Sequence, residues 1–75
     1  MRELVEYLTK SLVSDPDAVQ VEEVEAGRVL VYEVTVAEED VGKIIGRQGK
    51  VIRSIRSVVK AAATRAGTRV DVDVV

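Results

Sequence analysis

The sequence contains no cysteine, no histidine, no phenylalanine and no tryptophan, and it has a single proline. Without cysteine, it has neither a disulfide framework nor a thiolate metal site, which fits the reducing cytoplasm where we expect the protein to reside. Without histidine or cysteine, the commonest general base and the thiol nucleophile are missing, so we expect no catalytic activity. Because two tyrosines are the only aromatic residues, a surface for stacking of bases is poorly supplied.

Long apolar runs are missing as well. The first thirteen residues are interrupted by a charge every few positions, and no stretch approaches the ~20 apolar residues that a membrane span needs. The sequence therefore predicts neither a signal peptide nor a membrane span. The apolar fraction of 47% is high enough for one compact core, and the length predicts a single domain of residues 1–75.

Acidic residues are absent from one long segment. The chain has eleven basic and thirteen acidic residues, yet positions 41–70 contain eight of the basic residues and no Asp or Glu. This segment carries +8, and the other three basic and all thirteen acidic residues carry −10, which gives the net charge of −2. Because a ligand meets a surface and not a net charge, this segregation favours a polyanionic partner. The eight basic residues are Lys43, Arg47, Lys50, Arg53, Arg56, Lys60, Arg65 and Arg69.

The hydrophobic pattern predicts three helices and three strands. Apolar residues recur every three or four positions in the predicted helices and every second position in the predicted strands. Asp15-Pro16-Asp17, Ala26-Gly27, Gly46 and Gly67 supply the turns and stops. The predicted elements, in order, are a helix over 2–14, strands over 19–25 and 28–36, a short helix over about 38–45, a long helix over 50–66 and a strand over 69–75.

The order of the elements predicts an α+β fold. Two helices connect the second strand to the third, so these strands can be parallel, whereas the first two strands form a hairpin. We therefore expect a two-layer α/β sandwich in which a three-stranded mixed sheet carries three helices on one face and shows Glu, Thr, Arg and Asp to water on the other. On the first helix, Leu4, Leu8 and Leu12, with Val5 and Val13 beside them, recur at helical spacing on one face that is expected to be buried. The other residues expected in the core are Leu30, Tyr32, Val34 and Val36 on the second strand, Val41 and Ile44 on the short helix, and Ile52, Ile55, Val59, Ala62 and Ala66 on the long helix.

A glycine loop, Gly46-Arg47-Gln48-Gly49, lies between the two helices of the basic segment. A Walker A loop that ends at Gly49-Lys50 needs a glycine at position 44 and a hydroxyl at position 51, and these positions hold Ile44 and Val51. A dinucleotide fingerprint that ends at Gly49 also needs a glycine at position 44, and it follows a strand, not a helix. Both nucleotide-binding motifs are therefore excluded.

The remaining pattern, Ile44-Ile45-Gly-x-x-Gly-x-x-Ile52, resembles the KH domain, whose Gly-x-x-Gly loop grips the backbone of about four nucleotides. The α-β-β-α-α-β order is similar to the type II arrangement of that fold. The size, the order and the context "DPDAV…VAEEDVGKIIGRQGK" resemble the small stand-alone bacterial KH proteins of the KhpA family, over nearly the whole chain. The resemblance implies binding of single-stranded RNA, an RNA-chaperone-like activity, homodimers, and pairing with a larger KH-containing partner.

The candidate RNA-binding residues surround the glycine loop. Its two glycines permit a sharp turn and the close approach of another backbone. The cations can bind phosphate, Gln48 can donate to phosphate or sugar, and aliphatic side chains can contact bases. The candidates are Gly42, Lys43, Ile45, Gly46, Arg47, Gln48, Gly49, Lys50, Ile52 and Arg53. We predict no cofactor, no metal site and no small-molecule substrate.

Several of these residues also have a purely structural interpretation. Arg53 can belong, with Arg56 and Lys60, to an ordinary solvated helix face, although such a face normally carries both signs of charge. Ile45 and Ile52 can be core residues. The sequence alone leaves both interpretations open.

The surroundings of the loop also allow a second interpretation. Gly42 can serve close helix packing, and the carboxylates at 38–40 favour helix capping over metal binding. The alternative function is a protein-interaction module that pairs with itself or with a larger KH-containing partner, with RNA binding secondary. Val58, which lies outside the main apolar stripe of the long helix, is then a candidate for the interface.

Overall fold

A computed structural model of the protein describes all residues, 1–75, and has the predicted order of helices and strands. The short helix is divided, because residues 38–40 form a turn of 3-10 helix and the α-helix begins after them. None of the helices has the length and the apolar composition of a membrane-crossing segment. The elements are α1 (Arg2–Leu12), β1 (Gln20–Ala26), β2 (Val29–Thr35), α2 (Val41–Ile45), α3 (Lys50–Ala66) and β3 (Val70–Val74).

β2 is the central strand of a three-stranded sheet with the order β1-β2-β3. β1 and β2 are antiparallel, whereas β2 and β3 are parallel, as the two-helix connection between them predicts. One face of the sheet is apolar and packs against the helices, which confirms the α+β sandwich. Across that face, the register pairs Leu30 with Val70, Tyr32 with Val72 and Val34 with Val74.

The core lies between this apolar face and the helices. Val5 of α1, Ile44 of α2 and Val59 of α3 are all fully buried against the sheet. Tyr32 is buried with them, as expected. Burial, and then Glu23 directly opposite on β1, raise the pKa of its phenol. Tyr32 is therefore a protonated core residue with no face available for a base.

The predicted buried stripe of α3 is wrong at its C-terminal end. Its first three members are buried, but the stripe continues from Val59 to Ala63 and not to Ala62 and Ala66, and Ala66 is exposed. With 3.6 residues per turn, a helix that lies along a sheet takes steps of four at least as often as steps of three. After Val59, the next residue that points towards the sheet is therefore four positions later, at Ala63.

Two further core predictions differ from the structure. Val41 is 36% exposed, because α2 has only five residues and Ile44 is the one that turns fully inward. On α1 the buried residues are Val5 and Thr9, and the Thr9 hydroxyl is satisfied by donating to the Val5 carbonyl at 2.8 Å. Leu12, expected on the same buried face, is 45% exposed and lies on the side of α1 that faces α3.

Candidate nucleic-acid interface

Residues 46–49 form a tight turn between α2 and α3. Gly46 has φ +74° and ψ 172°, a combination that is essentially restricted to glycine, and Gly49 is left-handed with φ +73°. Gln48 between them also has a positive φ, +56°. The Gly49 N–H donates to the Gly46 carbonyl at 3.1 Å and closes the turn. This backbone leaves the side chains of Arg47 and Gln48 exposed at the tip.

Gly46 is required by space as well as by conformation. A β carbon at this position would lie 2.8 Å from both the backbone nitrogen and the β carbon of Val51, in the first turn of α3. A β carbon at Gly49 would have only Ile52 Cγ2 near it, at 4.0 Å, which is an ordinary contact. Gly46 therefore permits the close approach of α2 and α3, whereas Gly49 serves the backbone conformation alone.

Arg53 holds the loop from α3. Its Nη2 donates to the Gln48 carbonyl at 2.7 Å and its Nε donates to the Gly49 carbonyl at 3.3 Å. Arg53, Arg47 and Lys50 are all exposed, and none of them makes an ion pair. We call Arg47, Lys50 and Arg53 the loop cations. They form a cationic surface that no carboxylate of the chain neutralises.

The first turn of α3 adds backbone donors to this surface. No side chain caps the N-terminus of the helix, which follows Gly49 directly. The Lys50 N–H already donates to the Arg47 carbonyl. The next N–H groups have no partner within the helix, and the helix dipole places partial positive charge at this end. The combination of these N–H groups with the loop cations favours an anion beside the loop.

The remaining candidates lie at different depths around the loop. Gly42 is exposed, and a β carbon there would have no neighbour within 4 Å, so this glycine is not required for helix packing. Ile45 is half-buried and packs against the core with one edge outward. Ile52 is 6% exposed and belongs to the core, so it supports the loop from beneath and offers almost no surface to a ligand.

Asp40 is the only charged side chain that is buried. Its Oδ1 accepts from the Ser14 N–H at 3.0 Å, and its Oδ2 accepts from the Asp15 N–H at 3.1 Å. Lys43, a candidate for RNA binding, is partnered here, because its Nζ lies 3.6 Å from Asp40 Oδ1 and also donates to Ser14 Oγ. These contacts tie the segment that follows α1 to the start of α2, beside the loop.

The role of Asp40 differs from the predicted one. The sequence predicts that the carboxylates at 38–40 cap a helix, but Asp40 makes no capping bond to α2 and binds the chain after α1. The hydrogen bond from the Ser14 N–H lowers the pKa of Asp40 against the effect of burial, and the Asp15 N–H and Lys43 lower it further. Asp40 is therefore charged at neutral pH and acts as a structural anchor of the site.

Farther along α3 the cations are paired with β3. Arg56 Nε donates to the Val72 carbonyl at 2.7 Å and lies 3.4 Å from Asp71 Oδ1, and Arg56 Nη2 lies 3.8 Å from Asp73 Oδ1. Lys60 Nζ is 4.0 Å from Asp71 Oδ1. The basic side of α3 is therefore divided into an unpaired end at the loop and a paired end at β3. The spacing of the basic residues in the sequence does not distinguish these two ends.

A second concave surface, the α1–α3 groove, lies between these two helices. Its volume is about 330 Å³, and most of its lining is apolar. Leu12 and Val58 are 45% and 49% exposed along it, and Lys50, one of the loop cations, also lines it. The lining residues are Leu8, Leu12, Lys50, Val51, Ser54, Ile55 and Val58.

Known proteins match this chain over its length. A family model described as "KhpA/KhpB, KH domain" matches residues 2–74. A relative from Clostridium acetobutylicum, named RNA-binding protein KhpA, is 47% identical over 75 residues, with 100% of both chains covered. A relative of the same name from Caldanaerobacter subterraneus subsp. tengcongensis is 45% identical over 75 residues, again with 100% of both chains covered.

A solved structure shares the fold. The structure of Era from Aquifex aeolicus bound to GDP.AlF4− matches with a TM-score of 0.68 and 21% sequence identity. The match covers 97% of this chain and 28% of that chain, so the protein spans less than a third of Era. At this identity the likeness concerns the fold alone.

The two loop glycines should differ in their sensitivity to substitution. Gly49→Ala adds a methyl group where there is room and costs only the left-handed backbone, about 1–2 kcal/mol. Gly46→Ala adds a clash with Val51 to a backbone that only glycine adopts readily, so we expect a loss of more than about 3 kcal/mol. Denaturant unfolding of the two variants measures both values. Equal losses would show that the contact with Val51 does not limit the approach of α2 and α3.

Removing the charge of Asp40 should destabilise the protein. We expect Asp40→Asn to lower the Tm by about 10 °C at pH 7, because the Ser14 and Asp15 N–H groups lose a charged acceptor in a buried position. Glu39→Gln neutralises the neighbouring, exposed carboxylate and serves as the control, with an expected change of less than about 2 °C.

The effect of Asp40→Asn should also depend on pH in a defined direction. The pKa of Asp40 is lower in the folded protein than its ordinary value of 3.8. The carboxylate therefore contributes stability that is fully present above that value and is lost as the pH falls through the folded-state pKa. We expect the Tm difference between wild type and Asp40→Asn to stay constant from about pH 7 to 5 and to shrink below about pH 4. A difference that persists undiminished in acid would mean that shape, not charge, makes Asn unsuitable.

Proposed function

The chain belongs to the KhpA/KhpB KH-domain family, and we propose from this that it binds single-stranded RNA, with residues 1–75 acting as one KH domain. The observation that carries the proposal is the glycine turn at 46–49 with the three unpaired loop cations around it. Its relatives named RNA-binding protein KhpA support the same ligand.

The loop holds the RNA backbone in this proposal. A phosphate approaches the glycine backbone and the first N–H groups of α3, where Arg47 and Lys50 supply positive charge. Gln48 donates to a neighbouring phosphate or sugar oxygen. Arg53 keeps the loop carbonyls in place and adds its charge to the same surface. These contacts position the RNA without reading its sequence.

The bases contact the aliphatic side chain of Ile45 and the exposed backbone at Gly42 in this proposal. Gly42 leaves an open surface beside the loop, and the outward edge of Ile45 borders it. Tyr32 is buried, so stacking on an aromatic ring makes no contribution to this site. A groove of this kind accommodates about four nucleotides and supplies few base-specific hydrogen bonds. We therefore expect a Kd of roughly 1 µM to 1 mM for a short RNA, about −8 to −4 kcal/mol.

Replacing both residues at the loop tip by aspartate should abolish RNA binding. Arg47→Asp with Gln48→Asp places two negative charges against phosphate, and aspartate tolerates the left-handed backbone of position 48, so the Tm should change little. Fluorescence anisotropy with a labelled oligouridylate measures binding. In the wild type, three neutralised phosphates at roughly −0.7 each give a log–log salt slope of about −2.

The control for this variant makes the same two changes, an arginine and a glutamine to aspartate, at positions away from the loop. Arg28→Asp with Gln20→Asp alters two exposed residues at the hairpin turn and on β1, and it should reduce binding only slightly. A folded Arg47→Asp/Gln48→Asp variant that binds as tightly as the wild type would refute the assignment of the loop.

We further propose that the protein acts as a dimer, as an RNA chaperone or a post-transcriptional regulator. Val51, Ser54, Ile55 and Val58 follow one another at the spacing of a helix face that packs against another helix. The same patch on two copies can pair around a two-fold axis and cover the α1–α3 groove. A second RNA contact then becomes intramolecular, which raises avidity by about 10²–10⁴. Pairing with a larger KH-containing protein through the same groove is the alternative.

A charge in the α1–α3 groove should separate the two copies. We expect Val58→Asp to convert a dimer into a monomer at about 50 µM, because a dimer would bury the aspartate in an apolar contact. Ser57→Asp introduces the same charge at the neighbouring exposed position and serves as the control. Light scattering after gel filtration gives the mass of each variant.

The same variants separate the two functions. If RNA binding depends on pairing, Val58→Asp should bind an RNA with two short sites no more tightly than an RNA with one. A wild-type protein that is monomeric and binds both RNAs equally would contradict the dimer. A wild-type dimer that binds neither RNA would favour the protein-interaction module.

A further inference from the structure

β3 is an edge strand, and side chains of the same chain occupy its outward backbone groups. The Val72 N–H donates to Asp71 Oδ1 at 2.8 Å, and the Val74 N–H donates to Asp73 Oδ1 at 3.1 Å. The Val72 carbonyl accepts from Arg56 Nε at 2.7 Å. Two exposed carboxylates therefore stand along the edge of the sheet that faces the basic side of α3.

These carboxylates interrupt a cationic row. Positions 50, 53, 56 and 60 are spaced by three, three and four residues, which keeps them on one side of a helix. From Arg53 to Lys60 the row extends about 10 Å at 1.5 Å per residue, the length of about three nucleotides in a stacked strand at 3.4 Å each, in addition to the roughly four that the loop accommodates. Beyond it lies a cleft of about 340 Å³ at the C-terminal end of α3, lined in part by Lys60 and Arg69. Asp71 and Asp73 neutralise the half of the row that leads to this cleft.

The position of Asp73 is unfavourable for folding. Its register partner on β2 is Glu33, and the register partner of Glu33 on β1 is Glu22. Like charges that lie directly opposite each other destabilise a sheet. The ion pair of Asp73 with Arg56, long at 3.8 Å and exposed, offsets little of this cost, so the stability of the sheet alone does not account for the carboxylate.

We propose that Asp71 and Asp73 limit the length of RNA that the domain binds. Their carboxylates form ion pairs with Arg56 and Lys60 and thereby exclude phosphates from the middle of α3. Contacts with the RNA backbone are then confined to the loop cations. They act as specificity-determining residues through the cations they neutralise, so that short single-stranded sites are bound in preference to long tracts. The inference rests on the proposed RNA binding.

The test removes the charges and keeps the shape. In Asp71→Asn with Asp73→Asn, the amide oxygens can still accept from the Val72 and Val74 N–H groups, so thermal unfolding should show a folded protein. Two more cations become free for phosphate. We expect affinity for a twelve-nucleotide oligouridylate to rise about tenfold or more at 0.1 M salt, and the log–log salt slope to steepen by about 1.4. Affinity for a four-nucleotide oligouridylate, held by the loop, should change less than about threefold.

A matched control tests whether net charge alone produces the effect. Glu22→Gln with Glu25→Gln removes two charges from β1, the opposite edge of the sheet, and should change affinity for the long RNA less than about twofold. A rise equal to that of the Asp71/Asp73 variant would overturn the inference. If the double variant is poorly folded, Asp71→Asn alone, which frees Lys60 and leaves Arg56 beside Asp73, should give about half the change in slope.

The remaining outcomes separate this inference from the proposed function. If the wild type binds RNA and the variant has the same affinity and slope, RNA binding stands and the role of Asp71 and Asp73 is wrong. Weaker binding by the variant would show that the carboxylates themselves contact RNA, which also overturns the inference. If the wild type binds neither oligouridylate, the proposed function fails first.

Discussion

The absence of a side chain at Gly46 determines the geometry of the site. Because Val51 packs against the backbone of residue 46, the first turn of α3 lies directly beneath the loop. Ile44 and Ile52, on either side, both reach the same core. Because the core is filled by these two side chains, the residues between them project into solvent, and Arg47 and Gln48 lie at the exposed tip. A larger residue at position 46 would move α3 and, with it, every cation that the helix carries.

The loop has little freedom to rearrange. Three of its four residues have a positive φ, and Arg53 binds the carbonyls of Gln48 and Gly49 from below. Asp40 anchors the other side by joining α2 to the segment after α1. The donors are therefore already oriented before a ligand binds. The site is ordered during folding, so little conformational entropy is lost on binding.

Much of the fold and of the site follows from local signals in the sequence. The limits of α3, the parallel pairing of β2 with β3 and the position of the glycine turn are predicted correctly, because they depend on periodicity, on stop residues and on the length of the connections. The role of Asp40 is not predicted correctly, because the N–H groups that it binds lie 25 and 26 residues away in the chain. Arg56 and Arg53 look alike in the sequence, and only the position of β3 shows that one is paired and the other is not. Sequence patterns describe faces of helices, whereas the partners of a charge are set by the packing of distant segments.

At the β3 edge of the sheet, side chains of the same chain already bind the outward backbone groups, and this affects how copies of the protein can assemble. A strand with free N–H and carbonyl groups at the edge of a sheet is a template on which another chain can add a strand, and such pairing leads to aggregates. Here the outward groups of Val72 and the N–H of Val74 are already bonded, and an incoming strand would have to approach two negative charges. The sheet therefore resists growth beyond three strands at this edge. Copies of the protein that meet at high local concentration are directed away from β-sheet extension at β3 and towards contacts made by helices.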